Sequence, residues 1–193
     1  MFEQTLQRLR EGNQRYVSNQ STRDISKRRR SEVAQEQKPF AAILGCVDSR
    51  VPPEIIFDQG LGDLFVIRSA GQVLDQAVLG SLELGVAEFH IPVIVVLGHK
   101  RCGAVKLALE VSEHGSSAEA EIAHLVKMLE PAIQKAKHAG GDIWNNTARK
   151  HIEMVANQLK RSPILDTAVQ TGALKIVCGW YDLDTGVVEI ANG

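Results

Sequence analysis

Cys46, Asp48, His99 and Cys102 place two thiols, a carboxylate and an imidazole in two short strings, Cys46-Val47-Asp48-Ser49-Arg50 and His99-Lys100-Arg101-Cys102. These residue types suit zinc, a borderline-soft ion that takes sulfur, nitrogen and oxygen in a tetrahedron and keeps one position exchangeable where it is catalytic. Asp48 is the candidate exchangeable ligand. Arg50 is the candidate that holds it away, because a permanently charged guanidinium keeps a neighbouring carboxylate ionised and offers it two parallel hydrogen bonds. A catalytic zinc brings the pKa of a bound water from ~15.7 to about 7, which makes a strong nucleophile near neutrality.

Each string alone is a weak signal, and the elements around them raise it. The apolar runs Phe40 to Cys46 and Pro92 to Gly98 each read as a buried parallel strand, and each ends at its proposed ligands. In open α/β sheets, sites lie beyond the carboxyl ends of strands where the connection order switches, so two adjacent strand ends can deliver all four groups. Cys46 and Asp48 share one strand face provided that the strand runs through both.

The rest of the chain predicts a mainly parallel α/β sheet flanked by helices, with the last strand antiparallel. Strands are expected at 40–47, 64–69, 93–98, 174–182 and 187–191, the last entered by a turn at 182–186, with helices at 74–89 and from about Gly103. Residues 118–138 carry a helical pattern interrupted at Pro131, and 142–160 a second one. At the N-terminus Phe2, Leu6, Leu9 and Tyr16 recur at helical spacing, with Gly12 weakening the middle. The expectation is one domain over 1–193, whose segment 1–36 is a helical arm with little to pack against in its own domain and so reaches a partner subunit; the alternative is a helix folded back on its own sheet.

Further motifs follow the two strings in order: Leu9 to Tyr16, Gln37-Lys38-Pro39-Phe40, Val51 to Asp58, Gly62 to Arg68 and Gly98 to Gly103. With these the chain resembles the β-class carbonic anhydrases along nearly its whole length. The resemblance implies that Cys46, His99 and Cys102 hold one zinc per subunit and that Asp48 either pairs with Arg50, leaving the metal open, or swings in as a fourth ligand and blocks it. It implies that Gln37 orients substrate and that Phe65 walls the substrate pocket. The implied reaction is reversible hydration of carbon dioxide to bicarbonate and a proton by a zinc-bound hydroxide, in a homodimer or homotetramer.

The chain departs from the family pattern at Gln72 and Val47, both tolerable changes, and at three further positions. Leu84 stands where many members place a tyrosine that lines the pocket from the partner subunit, Ala70 replaces a larger apolar residue, and Ile43 stands where bicarbonate-inhibited members have tryptophan. The inhibitory site is therefore not expected. Leu84 and Ala70 leave open a hydrolase of carbonyl sulfide or carbon disulfide on the same metal; a non-catalytic zinc-stabilised scaffold is the third class.

Composition narrows the remaining options. Hydrophobic content of 44%, charge of 23% and a net charge of −1 over 193 residues suit a globular enzyme and argue against nucleic-acid or membrane-surface binding. Lys27 to Arg30 is balanced by Glu32 and Glu36, so it reads as a solvated basic segment. No run approaches the ~20 apolar residues of a membrane span and the first residues lack a signal-peptide core, so a cytoplasmic chain is expected. Three cysteines, an odd number, favour metal over disulfides, and Cys178 reads as a core thiol. His90, His114, His124, His138 and His151 have no ligand partners at metal spacing and read as surface or helix histidines.

Overall fold

In the computed structural model, which describes residues 2–115 and 117–191, the two apolar runs form neighbouring central strands. β1 (Ala41–Cys46) and β3 (Val93–His99) are buried at every residue, as expected for parallel strands covered on both faces. Three further strands are β2 (Leu64–Ser69), β4 (Lys175–Tyr181) and β5 (Val188–Ile190), and the sheet order is β2-β1-β3-β4-β5. The first four strands run parallel and β5 returns antiparallel to β4. From β1 the chain crosses to β2 on one side and later to β3 on the other. The crevice between the carboxyl ends of β1 and β3 is therefore the switch point where a site is expected.

One sheet face carries Ala42, Leu44, Cys46, Ile94, Val96 and Ile176, packed under helices that include α4 (Gln76–Phe89), α5 (Gly103–His114), α6 (Ala120–Ala136) and α7 (Ile143–Leu159). The other carries Ala41, Ile43, Val93, Val95 and Leu97 beneath a helix at Phe2–Val17 and a short one at Pro53–Ile56. The two sets alternate along each strand, as side-chain direction requires.

Three sequence expectations are corrected. The helix Phe2–Val17 does have its own domain to pack against: Leu6 and Leu9 are fully buried on the sheet. Asn13 donates to the Ile56 and Gly186 carbonyls and accepts from the Val188 N–H. Gly12 is not a weak point but the crossing point, since a Cβ there would stand 1.9 Å from the Phe57 carbonyl oxygen. The helix Ala120–Ala136 is not broken at Pro131. The proline sits on the exposed side while Leu129, Ala132, Ile133 and Ala136 are buried, and that burial offsets the hydrogen bond to Lys127 that proline cannot make.

Segment 18–32 is anchored by Asp58, whose fully buried carboxylate accepts from the Ser21 hydroxyl, the Thr22 and Arg23 N–H groups and the Arg15 guanidinium. Asp63 pairs with Arg8 and Arg29 and accepts from Gly60 N–H at the entrance to β2, which is the orienting role that its place after Gly62 suggests. In the basic helix at Lys27–Glu32, Arg28 pairs with Asp24 and Glu32, and Arg29 with Glu32 and Asp63.

Candidate metal centre

Cys46 is the last residue of β1, His99 the last of β3, and Cys102 the N-cap of α5. Their ligand atoms all lie within 4.8 Å of one another, and all three residues are buried. The two sulfurs are 3.9 Å apart, which fits a tetrahedral zinc, whose ~2.3 Å bonds place two sulfurs about 3.8 Å apart.

The imidazole is prepared for a metal. His99 is fully buried, Nδ1 lies 3.0 Å from the Lys100 carbonyl, and Nε2 has no hydrogen-bond partner among the described residues. A proton on Nδ1 donated to that carbonyl leaves the Nε2 lone pair for a cation, the usual arrangement of a ligating histidine. A buried ring nitrogen without a partner is costly in a protein that gives it nothing to bind.

The two thiols behave as a pair. Cys46 is pulled down to about 4, first by the hydrogen bond from Cys102 and, against the cost of burial, by His99 and the Gly71 N–H. Cys102 is raised, because its proton is shared with Cys46 and a second charge there meets the first. One thiolate thus forms readily, and a divalent cation supplies what is needed for the second.

Asp48 reaches the cluster from outside the strand. β1 ends at Cys46, so Asp48 sits in the following turn and not on the Cys46 strand face. The turn is clamped by Arg68, whose Nε donates to the Cys46 carbonyl and whose NH2 donates to the Asp48 carbonyl, both at 2.8 Å. Arg50 grips the Asp48 carboxylate through Nε at 3.0 Å and NH2 at 2.8 Å. This contact, ahead of the opposing cost of burial, holds the carboxyl down to about 2. Asp48 Oδ2 is nevertheless 4.0 Å from His99 Nε2. The carboxylate stands beside the ligand cluster while its oxygens are engaged elsewhere.

The substrate-wall candidates are not all gathered here. Phe65 is half-buried on β2 and meets the Phe89 ring at 5.7 Å, and Ala70 opens the 3₁₀ turn Ala70–Gln72 that follows β2. Leu84 is 49% exposed on α4. Gln37 is exposed before β1, and no hydrogen bond joins it to the ligand residues within this chain.

Several contacts escaped the sequence reading. Arg68 lies in a quoted motif, but nothing in its spacing says that it clamps residues 46–48. Trp144 Nε1 donates to the Cys102 carbonyl at 2.7 Å, a backbone contact that the helical pattern of 142–160 does not announce. His151, read as a surface or helix histidine, is 3% exposed; its neighbours Ala148, Ile152 and Val155 mark that helix face as buried, which was the available signal.

A family model described as carbonic anhydrase matches residues 41–188. Carbonic anhydrase 2 of Mycobacterium tuberculosis is 42% identical over 180 residues, covering 92% of this chain and 87% of that protein. The carbonic anhydrase of Mycolicibacterium smegmatis is 40% identical over 186 residues, covering 95% and 90%. A Coccomyxa β-carbonic anhydrase, solved in complex with acetazolamide, superposes with a TM-score of 0.75 at 27% identity, covering 84% of this chain and 78% of that one. A structure from a study of two tetrameric β-carbonic anhydrases of Sordaria macrospora shares the fold with a TM-score of 0.74 at 21% identity, covering 84% and 85%.

Proposed function

This chain belongs to the β-carbonic anhydrase family, and we propose that it hydrates carbon dioxide reversibly to bicarbonate and a proton with one zinc ion held by Cys46, His99 and Cys102. The observation that carries the reading is the buried Cys-His-Cys cluster at the β1/β3 switch point, with its unpartnered His99 Nε2. When bound, zinc supplies Lewis acidity that turns water into a nucleophile near neutral pH.

The chain's own residues do the rest. Arg50 keeps Asp48 ionised and its oxygens engaged away from Cys46, His99 and Cys102, so that the carboxylate would not compete for a metal held by those three. Asp48 Oδ2, beside His99 Nε2, is placed to accept a hydrogen bond from the attacking water and aim its lone pair at the carbon of CO2. Arg68 holds the turn that fixes both distances. Phe65 and Ala70 offer an apolar flank suited to a small uncharged substrate. A carboxylate released from Arg50 would compete with water for a bound metal, so the Asp48–Arg50 pair would act as the restraint on an inhibitory contact.

A homodimer or homotetramer is part of the same reading. It is supported by the tetrameric Sordaria macrospora proteins, by β2 lying half-exposed at the sheet edge, and by exposed Val47, Ile55, Leu61 and Leu84. In an assembly, Gln37 and Leu84 would serve a neighbour's site. Among the described residues no helix is long and apolar enough to cross a membrane; three cysteines outside any disulfide, two of them metal ligands in this reading, suit a reducing cytoplasm.

The test is exchange of ¹⁸O between CO2 and water by zinc-loaded protein, with sulfide release from carbonyl sulfide and carbon disulfide measured in parallel. Zinc-dependent exchange without sulfide supports the proposal. Sulfide release with no exchange replaces it with the hydrolase, and neither activity in zinc-loaded protein replaces it with a scaffold.

A further inference from the structure

His99 and Cys102 are separated by Lys100 and Arg101, whose side chains take no part in the reaction above. Arg101 is left-handed, φ 54, a conformation that a residue with a side chain avoids unless something holds it. On one side of it, the peptide joining Lys100 to Arg101 has its carbonyl 3.0 Å from His99 Nδ1 and its N–H donating to Asn145 Oδ1 at 3.3 Å. On the other side, the Arg101 carbonyl accepts from Arg50 NH2 at 3.4 Å. The left-handed residue thus sets one peptide plane against the ligand ring and the next against the side chain that restrains Asp48.

The turn between β4 and β5 supplies the hold. Asp184 accepts from Arg101 NH1 at 3.0 Å and NH2 at 2.5 Å, and from Lys100 Nζ at 2.6 Å. That turn is itself fixed. Asp182 Oδ1 accepts from the Asp184 N–H at 2.7 Å, the Asp182 carbonyl from the Gly186 N–H at 2.8 Å, and the Gly186 carbonyl from Asn13 Nδ2 at 2.8 Å. Lys100 has a second partner in Asp182 at 3.3 Å, and its N–H donates to the Tyr181 carbonyl. Arg101 instead sets both prongs of its guanidinium on Asp184, a paired contact that fixes direction as well as charge. Arg101 first and Lys100 second hold the Asp184 carboxyl well below the usual carboxylate range, so it stays charged at working pH.

We infer that Asp184 is a positioning residue for the metal centre: by gripping the Arg101 side chain it keeps Arg101 in the left-handed turn that sets the Lys100 carbonyl on the His99 ring and the Arg101 carbonyl on Arg50. The inference rests on the reading of Cys46, His99 and Cys102 as zinc ligands. An acceptor on the far nitrogen of a ligating histidine fixes its tautomer and ring direction, and losing such an outer partner typically costs about 10–100-fold in metal affinity. The Arg101 and Asp184 side chains are 40% and 51% exposed, so as an ion pair they add little to global stability. Their effect is local to the ligand loop.

The experiment uses the full-length protein as wild type, Asp184→Ala, Arg101→Gly and the double variant. Glycine adopts the left-handed turn without help, so in its background Asp184 has no side chain to hold at position 101. Two readouts are taken: zinc affinity by competition with a chromophoric chelator, and the absorption spectrum of the cobalt-substituted protein. We expect Asp184→Ala to lower zinc affinity about tenfold, the low end of the range for outer partners of metal ligands, and to change the cobalt spectrum. In the glycine background the same substitution should cost about twofold or less, the coupling that a double-mutant cycle reads. Arg101→Ala, which loses the grip but keeps a Cβ in the left-handed turn, should bind zinc more weakly than Arg101→Gly.

A folded Asp184→Ala protein with wild-type affinity and spectrum overturns the inference. So does an equal loss in both backgrounds, which would mark Asp184 as a nearby charge acting without Arg101, since that charge is removed in each. An Arg101→Ala protein that binds zinc as well as Arg101→Gly overturns it too. If Asp184→Ala does not fold, Asp184→Asn is read by the same measures. Zinc binding by the wild type and its loss in Cys46→Ser stand as the separate check of the underlying reading. If Cys46→Ser keeps full zinc affinity, that reading and this inference both fail; if only the Asp184 and Arg101 results fail, the reading survives.

Discussion

Arg50 holds Asp48 through two near-parallel hydrogen bonds, 3.0 Å and 2.8 Å long, while the same carboxylate stands 4.0 Å from the Nε2 of His99. A candidate fourth ligand and the side chain that restrains it are thus built into one five-residue string. Removing the restraint should convert a side chain beside the metal into one bound to it.

Arg50→Ala should therefore keep its zinc and lose roughly a hundredfold in turnover, the scale of losing one placed electrostatic partner in an active site. Arg50→Lys should recover little, because an ammonium cannot make the paired contact. Zinc content and CO2 hydration rate, measured on the same preparations, check both. An alanine variant with zinc and full activity would refute the restraint.

The pH profile separates the carboxylate from the metal site. Arg50 holds the Asp48 carboxyl down to about 2, so this group stays ionised throughout the working range and contributes no step to the rate above pH 5. Two thiolates donate more charge to a cation than imidazoles do, and the water it acidifies should ionise late. We expect activity to rise toward the alkaline side from pH 6 to 9. A flat profile measured across that interval would remove water ionisation from the mechanism.

Asp58 should govern stability in acid. Burial opposes its charge, but the Ser21, Thr22, Arg15 and Arg23 contacts outweigh that and lower its carboxyl well below the usual range. A folded pKa below the unfolded one gives stability that is fully present above about pH 4 and is lost as pH falls toward the folded value. Asp58→Asn should cost roughly 3 kcal/mol at pH 7, since it leaves Arg15 facing a neutral amide. In urea titrations, the gap between wild type and variant should hold down to about pH 4 and narrow below it.

Gly12→Ala should destabilise the protein although it improves helix propensity. The added carbon would stand 1.9 Å from the Phe57 carbonyl oxygen, so the helix must lift from the sheet that buries Leu6 and Leu9. We expect a loss of about 2 kcal/mol or more, in the range for overpacking. An unchanged or raised Tm would show that the helix is not held this tightly.

The parallel strands were legible because both central ones are continuous apolar runs, and their ends named Cys46, His99 and Cys102 as neighbours. The course of the helix through Pro131 was not, because propensity counts the missing hydrogen bond but not the buried stripe of Leu129, Ala132, Ile133 and Ala136 that outweighs it. The docking of Leu6 and Leu9 on their own sheet was the second of two readings for a related reason: amphipathicity says that a face will be buried, not against which sheet. The condition for Asp48 to share the strand face of Cys46, that the strand run through both, is not met, because β1 ends at Cys46 and Asp48 lies in the turn beyond it. The roles of Arg68 and Gly71 depend on backbone atoms that carry no residue-type signature. Gln37 and Leu84 remain exposed in a single chain, so their part in a pocket depends on contacts beyond it.

The most direct test is stopped-flow CO2 hydration at mildly alkaline pH by protein carrying one zinc per chain, beside the same protein stripped of zinc and then reloaded. We expect turnover far above buffer that disappears with the metal and returns with it. Zinc-loaded protein that hydrates CO2 no faster than buffer would contradict the assignment of this centre to carbon dioxide.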